Sequence, residues 1–384
     1  MIKLPNNLKK IGGMAFADSM SMVISASFWF FIGSQLEPDE YGKIMFYISI
    51  SNIASVISLM GATNALMIYP SKNINLESTF YVLTLVIGFF SSLVIFLMFY
   101  NIGSSLLVIG LVIYGLVTSE LIGRKLFNQY SKFILLQRIV MVSITISLYQ
   151  FIGKEWILLG VSISYFPLIY QIIMGLRRYK INIELLKQKI EFIKYAYLEN
   201  ILGSGASYLD RIIIPQLFGF TVLGHYSLGL QFFNLLVILP LIVTKYIIPN
   251  QISDNNSKLK LNTLIFSVCV TIISFVIGPQ VIESFFPKFD GLDNIIRIIS
   301  LGVIPIVISQ VYFYPKFLAL EKSKTILWNS ILSILTSIIL IILLGQIYGQ
   351  EGVVIAFVTG TVVSAIHYFI SNKKLKNKTF RKNS

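Results

Sequence analysis

The chain has 384 residues, 55% of them hydrophobic and only 12% charged, about half the charged share of an average soluble protein. A mean hydropathy of +0.79 excludes an ordinary soluble domain and points to a polytopic membrane protein, so the net charge of +14 reports sidedness rather than a nucleic-acid partner. One cysteine, Cys269, and two histidines far apart in sequence, His225 and His367, give no disulfide framework and no metal-ligand spacing, and no nucleotide-binding loop is present.

The first apolar stretch is too long for a cleavable signal, is interrupted by Asp18, and is followed by no small-residue cleavage site. Apolar windows of about 20 residues then give twelve spans, at 11–34, 43–69, 79–99, 104–123, 133–152, 156–175, 196–217, 225–248, 261–282, 294–315, 325–346 and 352–371. An even number places both termini on one side. With that side inside, the inner segments hold twenty-five lysines and arginines and the outer ones four, so both termini are expected in the cytoplasm of a cell that carries the protein in its plasma (inner) membrane. The outer connections are short, the longest running roughly from Glu283 to Asp293, and none has room for an extracytoplasmic domain.

The longest inner connection puts Ile183, Leu186, Ile190 and Ile193 on one helical stripe, which predicts an amphipathic helix in the inner interface. The expected organisation is a six-helix bundle over 1–176, this linker over 177–194, a second bundle over 195–371 and a basic, disordered tail over 372–384 drawn to anionic lipid head groups. The fold class is all-α, with two parallel six-helix repeats. The repeat is legible because Ala196-Tyr197-Leu198-Glu199 falls on Ala15-Phe16-Ala17-Asp18 and Gln216-Leu217 on Gln35-Leu36. At a register of 182, Gly224 falls on Gly42 and Asn234 on Asn52; Ser323-Lys324 resembles Ser131-Lys132, and the Gln-x-x-Gly-x-Glu at 346–351 resembles that at 150–155. Both repeats start from the inside, so a pathway between two bundles of six is the expected arrangement.

Charges inside spans are costly and mark candidate sites. On an unbroken helix Glu199 and Asp210 lie about 20° apart, which gathers Glu199, Asn200, Gly203 and Asp210 with Arg211 on one polar side. Asp18 and Glu199, equivalent by the repeat, are candidates for taking up a proton or holding a cation, with a structural hydrogen bond as the alternative. Asp210 and Arg211, adjacent in sequence, point in different directions and suit gating or structure more than substrate contact. Arg138, beside Gln137 and about 7–9 Å inside the fifth span, has the fork geometry for a pyrophosphate, or else it snorkels to head groups. Glu120 and Arg124 stand at i, i+4 in the favourable order for a local pair.

The stretch Gln35-Leu36-Glu37-Pro38-Asp39-Glu40-Tyr41-Gly42 resembles the L-x-P-x-x-Y/F-G signature of polysaccharide-repeat flippases. Leu209-Asp210-Arg211-Ile212 with Gly224-x-Tyr226-Ser227 is similar to the start of their second half, and Tyr348-Gly349-x-x-Gly352 to their final hairpin. Glu321-Lys322-Ser323-Lys324 looks like their G-x-x-K loop, with Leu320-Glu321 where glycine is usual. The resemblance implies the fold of the multidrug/oligosaccharidyl-lipid/polysaccharide exporter superfamily and a polyprenyl-pyrophosphate-linked oligosaccharide (O-antigen type) as substrate. Twelve spans depart from the fourteen usual in peptidoglycan-precursor flippases, so their cavity arginines are not carried over. The implied partners are that lipid-linked oligosaccharide, membrane lipids and other polysaccharide-biosynthesis membrane proteins; no cofactor is expected beyond a coupling H+ or Na+. Three other readings stay open: a multidrug/cation antiporter of the same fold, a membrane glycan polymerase or acyltransferase, which the short outer loops disfavour, and a scaffold.

Overall fold

A computed structural model describes residues 6–248, 257–320 and 322–383, with side chains placed except at 6–11, 206, 245–246 and 376–383. Lys3, the connection 249–256 and Glu321 of the loop before the eleventh span fall outside the described residues. Every regular element among the described residues is helical.

Among the described residues, ten helical stretches are long and apolar enough to cross a membrane, and two of them, Ile190–Thr244 (55 residues) and Ser323–Leu375 (53 residues), are about twice too long. Run straight at 1.5 Å per residue, each would extend about 80 Å against a hydrocarbon layer of about 30 Å. Each contains one glycine that leaves the helical region, Gly219 (φ 86°, ψ 169°) and Gly349 (φ 57°, ψ −132°). The chain turns back on itself at both. The Tyr226 hydroxyl donates to Asp210, sixteen residues earlier, and Asn329 Nδ2 donates to Ser364 Oγ at 2.7 Å across thirty-five residues. Neither bond can form along a straight helix. With these two hairpins opened the described residues hold twelve spans, and the connections expected over 218–224 and 347–351 shrink to little more than one glycine each.

Five spans read as unbroken are interrupted, the ninth at Ile277, where one helix ends at Val276 and the next starts at Gly278. The second is helical over Pro38–Leu59 and Ala62–Ile68, parted at Met60 and Gly61, both with positive φ. The sixth breaks around Pro167, where proline removes a backbone donor. The seventh runs as Ile190–Asn200, then a π turn over Ile201–Gly205 and a 3₁₀ turn over Ala206–Tyr208, before Asp210 restarts an α-helix. The tenth passes through a π turn over Ile308–Phe313. Hydropathy windows register apolar length, not backbone continuity, so these breaks leave no trace in them.

The linker also differs from the single amphipathic helix expected over 177–194. It forms a short helix, Ile183–Gln188, capped by the Asn182 side chain, which accepts from Leu185 N at 2.8 Å. The chain breaks at Lys189 and then enters the seventh span directly. At the other end, the backbone of 372–383 continues the last helix instead of leaving it as a disordered tail.

Packing sorts the chain into two compact units, residues 1–28 with 46–209 and residues 29–45 with 210–384. The divisions fall inside spans one, two and seven rather than at the 177–194 linker. In the first unit, small residues let helices approach closely: a Cβ on Gly123 would overlap the Leu66 carbonyl, and Gly160 packs on Thr145. In the second unit, a Cβ on Gly42 would overlap the Phe220 carbonyl and one on Gly224 the Pro38 carbonyl. At the repeat register of 182 these are one contact made twice, as a two-fold relation between the repeats requires. The turn between spans one and two is held there further by Lys288, whose Nζ reaches Glu37 at 3.2 Å and the Gln35 carbonyl at 3.0 Å.

Candidate functional site

Two polar rungs join the first and fifth spans inside the first unit. Asp18 and Ser21, three residues apart, share a helical face. Asp18 Oδ1 accepts from the Tyr130 hydroxyl at 2.8 Å, and Ser21 Oγ accepts from Arg138 Nε at 3.0 Å. Arg138 also lies against Met141 Sδ at 3.6 Å and beside the Tyr165 hydroxyl, whose ring meets Tyr114 edge-on at 5.7 Å. These neighbours turn Arg138 toward other helices of its bundle, and its contacts are not those of a side chain reaching out to head groups. Among the described residues no carboxylate forms an ion pair with it. A half-buried guanidinium held by neutral groups keeps its charge available for a phosphate-bearing ligand.

Gln137, its sequence neighbour, is elsewhere. It is 1% exposed and donates to Ser164 Oγ at 2.8 Å, so it belongs to the packed core between spans five and six.

A second polar patch joins the C-terminal end of span two to the N-terminal part of span seven, also in the first unit. Asn64 Nδ2 donates to Glu199 Oε2 at 3.3 Å, and Asn200 Nδ2 to Thr63 Oγ1 at 2.9 Å. The approach depends on Gly61: a Cβ there would stand 2.8 Å from both the Ile193 carbonyl and the Tyr197 amide. Asn64 and Glu199 share with Met67, Ile68, Phe192, Tyr195 and Ala196 a largely apolar cavity of 270 Å³. Asp18 and Glu199, equivalent in the repeat, are therefore held by unlike partners, a tyrosine in one case and an amide in the other.

The shared face expected for Glu199 and Asp210 does not form. The π and 3₁₀ turns between them break the 100° progression, and the two residues fall in different compact units. Asp210 instead stands in the first turn of its helix, where a carboxylate is favoured by the helix dipole, and it accepts from Tyr226 and from the Arg211 backbone amide at 2.7 Å. Arg211 belongs with it to the second unit.

Glu120 and Arg124 do pair, at 3.1 Å, but they are part of a larger cluster. Arg178 forms a second ion pair with Glu120 Oε1, and the Tyr81 hydroxyl donates to Oε2. Glu120 is 5% exposed and its charge is matched on the spot, which makes the cluster a buried clamp between spans three, four and six.

Ser21, Thr63, Asn64, Tyr130 and Tyr165 were not singled out by sequence. Each is a neutral hydroxyl or amide whose importance comes from a partner more than 25 residues away, and no local spacing announces such a partner.

The sequence profile of a family described as polysaccharide biosynthesis protein matches residues 35–263, more than half of the chain. None of the curated protein sequences matches at a significant level. Among solved structures, the lipid II flippase MurJ in an inward closed conformation aligns with a TM-score of 0.71 at 16% identity, over 94% of this chain and 87% of that one. A multidrug resistance MATE family transporter of the MOP superfamily, inward-facing, aligns with a TM-score of 0.69 at 14% identity, over 95% and 96%. A Vibrio cholerae MATE transporter aligns with a TM-score of 0.57 at 15% identity, over 97% of each. At these identities the likeness is one of fold.

Proposed function

The chain belongs to the polysaccharide biosynthesis protein family, and from that membership we propose that it is a flippase carrying polyprenyl-pyrophosphate-linked oligosaccharide units from the cytoplasmic to the outer leaflet. The observation that carries the reading is Arg138. A transporter of a pyrophosphate-linked head needs a cation at depth in the membrane that is not already neutralised, and Arg138 sits in the fifth span on Ser21 with Tyr165 beside it. The sugar-pyrophosphate head crosses along polar groups of the bundle while the prenyl tail stays in lipid, and opening alternates between the two sides. The distribution of basic residues supports a cytoplasmic position for both termini. Asp18 and Glu199 are the groups we assign to coupling with H+ or Na+, because among the carboxylates that the repeat makes equivalent they are the pair that lies within spans.

A cation antiporter of the same fold would have no use for an unpaired arginine on this track, and that separates the two readings. Losing one charge-assisted phosphate contact costs about 1.5–3 kcal/mol, roughly ten- to a hundredfold in affinity. Arg138→Ala should weaken binding of a prenyl-pyrophosphate sugar to the purified protein by that factor. Arg138→Lys, which keeps the charge but loses the fork, should fall between Ala and wild type. Equal affinities across the three proteins would remove Arg138 from the site and leave the proposal without its main support.

A further inference from the structure

The chain leaving the sixth span is stapled to the start of the third. Ser78 Oγ donates to the Gly175 carbonyl at 2.8 Å and accepts from Tyr179 N at 3.2 Å, while Thr79 Oγ1 accepts from Asn182 N at 2.9 Å. The Arg178–Glu120 ion pair anchors the same stretch from below. Residues 179–182 are thus fixed in place although they lie at the end of a bundle. Facing them is the connection 69–76, also closed on itself, with Ile74 N donating to the Tyr69 carbonyl at 3.0 Å and Asn73 held at positive φ. Between the two lies a cavity of 390 Å³ lined by Asn73, Ile74, Asn75, Tyr179, Lys180, Asn182 and Leu185. That volume is in the range of small-ligand sites.

Three amides, a phenol and an ammonium are the donors of a site for a phosphate bearing hydroxyl groups. Among the described residues, Lys180 makes no ion pair and the side-chain amides of Asn73 and Asn75 make no hydrogen bond. The surrounding charge has the same sense: residues 177–189 carry five cations against one carboxylate, Glu184. Beside the cavity, Ile181 and Ile183 are 54% and 56% exposed, and Ile190 follows them. Exposed isoleucines bordering a basic pocket belong at the boundary of acyl chains and head groups. We infer that the cavity between 73–75 and 179–185 binds the phosphate head group of an anionic phospholipid of the inner leaflet, with the acyl chains lying along Ile181 and Ile183. It is set on spans three and six, apart from spans one and five that carry Asp18 and Arg138, so a structural lipid suits it better than the transported one. The leaflet rests on the orientation proposed above.

The test uses full-length protein in detergent with defined added lipid, read by native mass spectrometry, and does not depend on orientation. Phosphatidylglycerol should be retained and phosphatidylcholine should not. Lys180→Glu and Asn75→Ala should each weaken retention, the charge reversal by roughly tenfold or more, the worth of one charge-assisted contact. Lys187→Glu, a reversal on the neighbouring helix outside the cavity, should change it less than about twofold. Unchanged thermal unfolding of the variants shows that they are folded. Equal losses for the Lys180 and Lys187 reversals would reduce the effect to general surface charge and overturn the site. Displacement of phosphatidylglycerol by inorganic phosphate would make the occupant a free anion, and displacement by an equimolar prenyl pyrophosphate would make it the substrate; either result overturns the assignment. If cysteine labelling instead places residues 177–190 outside the cell, lipid retention still stands while the leaflet and the direction of transport fall.

Discussion

The first and seventh spans hold equivalent places in the two repeats, yet they are built differently. The first is one helix, Asn6–Gln35, whose backbone runs unbroken where the compact units divide after Phe28. The seventh is broken from Ile201 to Leu209, and the division falls at the end of that break. The reason is local. The first span crosses its division through Ala26-Ser27-Phe28-Trp29, whereas the seventh has Gly203-Ser204-Gly205-Ala206-Ser207, two glycines and two serines, which are poor at holding an α-helix without side-chain packing. A Cβ added at Gly203 would meet nothing within 4 Å, and the Ser207 hydroxyl satisfies the Ser204 carbonyl at 2.7 Å in place of the missing helical donor. The two repeats therefore differ at this position in the continuity of the helix. The glycine contact, by contrast, is alike in both repeats: Gly42 on Phe220 and Gly224 on Pro38.

If the outer crossing is rigid and the seventh-span break is loose, the two should answer substitution oppositely. The largest effect is expected at the crossing. Gly224→Leu, and equally Gly42→Leu, must displace a backbone carbonyl, at about 3 kcal/mol or more, and should abolish the folded peak in detergent size-exclusion chromatography. A well-folded Gly42→Leu protein would show that the reciprocal contact is not a packing constraint.

The unlike partners of Asp18 and Glu199 give the next effect. We expect Glu199→Gln to remain folded, since an amide still accepts from Asn64, while the pH or Na+ dependence of reconstituted transport falls by roughly tenfold or disappears. Asp18→Asn should do the same if the repeat equivalence extends to coupling, and loss in only one variant would assign the ion to that half. Unaltered ion dependence in both would take coupling away from these carboxylates.

The smallest effect is predicted at the break itself. Gly203→Ala should change thermal stability by less than about 1 kcal/mol, because there is space for the methyl group and the unfolded chain loses freedom. A cost like that of Gly224→Leu would mean that the break is as tightly packed as the crossing.

The amount that could be read from sequence follows the range of the interactions concerned. All twelve spans were visible, because crossing a bilayer demands apolar length and nothing else needs to be known. The Glu120–Arg124 pair was visible because i, i+4 is a local relation, but Arg178, 58 residues away, was not. The polar face drawn through Glu199 and Asp210 failed for a physical reason: it assumed one helix across a glycine- and serine-rich stretch that the protein uses as a break. The divisions at 28/29, 45/46 and 209/210 depend on which helix end packs on which, and no composition shift marks them.

The most direct test of the account is transport itself. Purified protein reconstituted in vesicles loaded on one side with a polyprenyl-pyrophosphate oligosaccharide should move the sugar to the other leaflet, where an added sugar-modifying enzyme can reach it. Arg138→Ala should slow this movement about ten- to a hundredfold under subsaturating substrate. No transfer above protein-free vesicles, together with proton- or sodium-driven efflux of an organic cation from the same preparation, would contradict the assignment and leave a cation antiporter in its place.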